Sequence, residues 1–68
     1  LPDPNLEELQ MAAVAADYYA MPLFAYVDHL RRTREQYGDR AARLDVEHAI
    51  ALREAKARKA IEEAQKRP

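Results

Sequence analysis

Sixty-eight residues carrying 11 basic and 12 acidic side chains have a formal net charge of −1, so no overall field draws the chain to nucleic acid or an anionic membrane. The lack of cysteine removes disulfides as a support for a chain too short to build a large core. It leaves the redox compartment open. Without Cys or Ser, and with Thr33 as its one threonine, the sequence offers no nucleophile–base pair for a self-contained hydrolase.

This length makes one small domain at most, spanning 1–68. A single Gly among many Ala, Glu, Arg, Leu and Lys residues points to an all-α chain. The expected architecture is a small helical bundle or hairpin, with two helices joined at a proline kink and followed by a long third helix. Residues 1–4 read as an extended lead-in. Asp3 before Pro4 suits an N-cap with proline in the first helical position, and Asn5 is a rival cap with Glu8 in capping-box spacing. The first helix is expected over about residues 5–20, with Glu7 and Glu8 at the positive end of its dipole.

That helix shows two apolar stripes. Leu6, Leu9, Ala13, Ala16 and Ala20 form one, and Met11, Val14, Tyr18 and Met21 form the other. A surface helix normally has one such stripe, so the second calls for a further chain to cover it. Pro22 disfavours helical geometry at Met21 and removes a backbone donor, so it breaks or sharply kinks the path. A second helix follows over about residues 22–37, with Leu23, Tyr26, Val27, Leu30 and Tyr37 on its inner face. Gly38 stops it, and Asp39 is placed to cap the next.

The third helix spans about residues 40–66. Its apolar face is Val46, Ile50, Ala57, Ile61 and Ala64, with Ala42, Ala49 and Ala60 alongside. Glu54 and Arg58, like Glu62 and Lys66, have the favourable acid-before-base spacing. At about 40 Å it outruns two bent helices, so its last turns are expected to project. Strict heptads fail at Arg53 and Arg67, which disfavours a long coiled coil.

The stretch from Met11 to Leu30 has the length of a bilayer span. Two aspartates, a histidine and a central proline argue against one, and no charged segment precedes it as in a signal peptide. Its aromatic cluster is better read as a protein-binding surface, because aromatics are enriched where binding energy concentrates. Met11, Val14, Tyr18, Tyr19, Met21 and Phe24 are the candidate partner-binding residues. Asp17, isolated among Ala and Tyr, is a candidate interface charge unless it marks a solvent-facing strip.

The sequence therefore reads as a non-enzymatic interaction or assembly subunit with no cofactor, acting by self-association or by joining a larger protein complex. One alternative is a helical dimer that binds nucleic acid through Arg31, Arg32, Arg34, Arg40 and Arg43. The interleaved acids Glu35 and Asp39 weaken that reading. A second alternative is a carboxylate–histidine metal protein formed by oligomerisation, suggested by Asp45 and His48 at i,i+3 and by Asp28 beside His29.

Overall fold

The computed structural model describes residues 5–67, and over these residues the chain forms three helices: α1 (Leu6–Tyr18), α2 (Leu23–Tyr37) and α3 (Asp39–Gln65). The possible cap at Asp3 and Pro4 lies outside the described residues. Asn5 caps α1 from an extended backbone, its Oδ1 accepting the Glu8 N–H at 2.8 Å. The reciprocal half of a capping box is replaced, because the Glu8 carboxylate is taken by Arg34 of α2, 2.6 Å away.

The joint after α1 is a true break. Ala20 adopts φ 56°, the left-handed region, while its N–H bonds Asp17 O at 3.1 Å and the Met21 N–H bonds Ala16 O at 2.8 Å. That pair of bonds is a Schellman motif, with alanine where glycine is normally preferred. Pro22 then sits extended at the N-cap of α2, one residue earlier than the first helical position, and its carbonyl accepts from Ala25 and Tyr26.

Gly38 separates α2 from α3 at φ 100° and ψ 168°, a backbone region that side chains resist. Asp39 is the first residue of α3 and makes no side-chain cap. Its carboxylate instead binds Arg34 Nε at 2.9 Å and Arg43 Nε at 3.0 Å. These pairs tie the ends of α2 and α3 together where the chain reverses.

The core is small: Ala12, Ala15 and Ala16 of α1, Tyr26 and Leu30 of α2, and Ala42, Val46 and Ala49 of α3. Met11, Val27 and Ile50 pack at its edge. Alanines on both α1 and α3 let the helices approach closely around the large Tyr26 and Leu30. The buried face of α1 runs between the two stripes expected from sequence, so Leu6, Ala13 and Ala20 remain exposed. Larger residues flank an alanine centre, and a pattern weighted by hydrophobicity points to the flanks. Tyr37, expected on the inner face of α2, is also exposed, at 70%.

From Ala51 to Arg67 every residue of α3 and its end is exposed, and the molecule measures 53 × 20 × 17 Å. The expected projection of the last turns is therefore large. About 22 Å of helix, at 1.5 Å per residue, extends beyond the bundle.

Candidate interaction surface

Where α1 turns into α2, four apolar side chains lie open to water. Tyr19 is 41% exposed, Met21 37%, Leu23 39% and Phe24 77%. The left-handed Ala20 and the extended Pro22 hold them there, between the end of α1 and the start of α2. Tyr19 is partly committed to the fold: its ring lies 6.1 Å from Tyr26 and 5.2 Å from Tyr18, edge-on to the latter. Phe24 points away from the core. With Met21, Ala25, Asp28, His29, Arg31 and Arg32 it lines an open depression of about 600 Å3.

The candidate residues divide in two. Tyr19, Met21 and Phe24 come together on this exposed end, whereas Met11, Val14 and Tyr18 are half-buried, and Met11 packs on the chain's own core. Asp17 is exposed, consistent with the solvent-facing strip weighed for it.

Beside the patch, Asp45 of α3 gathers two partners from α2. The Tyr26 hydroxyl donates to Asp45 Oδ1 at 2.5 Å, and His29 Nε2 lies 2.8 Å from Oδ2. Burial alone would raise the Asp45 carboxyl, but the hydrogen bonds from Tyr26 and His29, with the charges of His29 and His48, hold it below the usual carboxylate range. Burial pushes the Tyr26 phenol well above its ordinary value, and the hydrogen bond to Asp45 adds to this. Tyr26 therefore keeps its proton and serves as a donor. The trio acts as a clasp between α2 and α3, and beside it Tyr19 and Met21 complete a hollow of about 230 Å3.

This clasp was not visible from the local pairing of Asp45 with His48, since the partners of Asp45 come from another helix. Among the described residues, no group of three or more His, Cys, Asp or Glu side chains is placed to hold a metal ion within one chain. The arginines of the nucleic-acid alternative are largely engaged. Arg32 pairs with Asp28 at 2.6 Å, Arg34 with Glu8 and Asp39, and Arg43 with Asp39. The Arg34–Glu8 pair, with both side chains about 15% exposed, bridges residues 26 apart in sequence and has no local signal. No helix among the described residues is long and apolar enough to cross a membrane.

No family model, curated protein or solved structure matches the chain. The class that the geometry defines is a small all-α helical bundle with one apolar end and one projecting helix.

Proposed function

We propose that this chain is a non-enzymatic interaction subunit that joins further copies or a larger protein assembly through the apolar end at the α1–α2 turn. The observation that carries the reading is Phe24. It is 77% exposed, with Met21 and Leu23 beside it, on a turn that holds a left-handed alanine. A phenylalanine left in water at the edge of so small a core forgoes burial worth about 1.5–3 kcal/mol, which a partner surface can recover. The commitment of the covered Arg34 to Glu8 and Asp39 takes one cation out of the cluster that a nucleic acid would use and supports a protein partner.

Light scattering over a wide concentration range tests this on the intact chain and on Phe24→Glu. The expected result is association by the parent chain and its loss in the variant, with unchanged helical circular dichroism. If Phe24→Glu alters neither association nor binding of a hydrophobic dye, the turn is not an interaction surface.

A further inference from the structure

The bare half of α3 has three properties that bear on a partner for it. The first is length. The α1–α2 hairpin, with helices of 13 and 15 residues, covers α3 only as far as Ala49 and Ile50. The uncovered 51–65 segment of the helix is about 22 Å long, close to the 20–22 Å of one more such hairpin.

The second is continuity. Val46, Ile50, Ala57, Ile61 and Ala64 fall on one side of α3 at helical spacing. Val46 is buried, Ile50 half-buried and Ile61 57% exposed. The core-facing row thus runs past the end of its own cover, interrupted by Arg53 between Ile50 and Ala57.

The third is charge. Residues 51–67 hold six cations against three anions, a net of +3, while residues 5–50 hold five against eight, a net of −3 with histidines neutral. A near-neutral chain has separated its charge into an acidic bundle and a basic projecting helix.

Resting on the reading of the turn as an interaction surface, we propose that two copies pair about a two-fold axis with their α3 helices antiparallel, each bundle covering the bare half of the partner's α3. In such an isologous pair every contact occurs twice. The midpoint of α3 is Leu52, so Ile61, nine residues beyond it, comes level with position 43 of the other copy. That is where α1 and α3 form a groove of about 310 Å3 lined by Met11, Val46, Glu7, Glu8, Glu47 and Arg43 itself. An apolar pair beside carboxylates suits Ile61, which has Arg58 and Lys59 in the turn before it and Glu62 and Glu63 directly after it. The bond from Tyr26 to Asp45 sets α2 antiparallel to α3, with its start beside the middle of α3. The apolar turns of both copies then fall near the axis, where Met21 and Phe24 leave water.

Three measurements decide it. Light scattering of the whole chain is expected to give twice the 7.8 kDa monomer mass, with the dimer weakening as salt rises. Ile61→Glu is expected to raise the dissociation constant by about 30-fold, the scale of a buried interface anchor. Ile61 makes no part of the described core, so the variant keeps its fold, checked by circular dichroism. A spin label at Gln65→Cys, the sole thiol in this chain, is expected to report a separation on the order of 40 Å between the two labels, as antiparallel helices of this length require. A monomeric mass at millimolar concentration overturns the proposal. So do labels within about 20 Å, which mean parallel helices. Loss of association with Phe24→Glu but not with Ile61→Glu removes the antiparallel pair and keeps the turn surface; indifference to both removes the turn surface as well. Salt-sensitive binding of an RNA hairpin by a monomeric chain, lost with Lys56→Glu and Lys59→Glu, assigns the basic helix to a polyanion and also overturns it.

Discussion

Residues 39–50 and 51–65 belong to one unbroken helix, yet different forces hold them. The first part buries Ala42, Val46 and Ala49 under α1 and α2. The second has no buried residue and depends on the intrinsic preference of Ala, Glu, Lys and Arg for helix. Isolated helices of about 15 residues are marginal in water, so the second part draws on the first for its nucleus. Helix formation and tertiary burial are thus separable along a single element. A helix boundary does not mark the end of the core.

The strongest attempt to break this contrast is Tyr26→Ala. Tyr26 is the largest fully buried side chain and also holds Asp45. Its loss is expected to cost about 3–5 kcal/mol, a large part of what a core this size supplies. Thermal melting should show no cooperative transition, with a residual helical signal from the basic half of α3. Retention of a sharp transition would mean that the bundle is held elsewhere.

Arg34→Met ranks next, at about 1–3 kcal/mol, because it strands the Glu8 carboxylate in a mostly covered position and also frees Asp39. Adding Glu8→Gln is expected to recover part of the loss, since no unpaired charge then remains. Denaturant melts of the two variants measure that recovery. Additive losses would show that the pair is not coupled.

Acid should act on the same half. The folded Asp45 carboxyl lies below its unfolded value of about 3.9, so its contribution is complete above that pH and is lost as pH falls through the folded value. His29 and His48 are the basic groups acting on Asp45, and Tyr26 is its other partner. Melting temperature is expected to drop from pH 5 toward pH 2, and Asp45→Asn should flatten that part of the profile. An unchanged slope would remove the clasp from the stability of the bundle.

A smaller gain is expected at the turn. Ala20 has φ 56°, and glycine adopts that geometry without the Cβ penalty. Ala20→Gly should stabilise the chain by up to about 1 kcal/mol, less what glycine adds to the entropy of the unfolded state. A fall in melting temperature would mean that the Ala20 methyl makes a contact worth more than the strain.

Much of the fold was legible from local chemistry. The Asn5 cap, the break before Pro22 and the stop at Gly38 each follow from a residue and its immediate neighbours, and they fix three helices. The inward face of α1 was not legible, because Ala12, Ala15 and Ala16 are less hydrophobic than the residues flanking them. What buries them is the close approach of α2 and α3, which no window along α1 contains. The same limit hid Arg34 with Glu8 and Tyr26 with Asp45, whose partners are 26 and 19 residues apart. For the candidate surface, the aromatic cluster of the sequence divides in the fold, where contact with the core separates Met11 from the exposed Phe24.

A matched pair of substitutions sharpens the contrast at its smallest scale. Ala49→Gly and Ala57→Gly make the same change eight residues apart in α3, so each carries the same propensity cost of about 1 kcal/mol. At Ala49 the lost methyl is fully buried, and the helix there is part of the cooperative unit. That variant should lose the propensity term and the methyl burial together, about 2 kcal/mol, read as a lower melting midpoint. At Ala57 the helix can open without exposing any core. In the monomeric chain, Ala57→Gly should shift the midpoint by less than about 0.5 kcal/mol and appear instead as faster amide exchange over residues 51–67. Equal midpoint shifts would make α3 one cooperative unit from end to end, and the division drawn at Ile50 would fail.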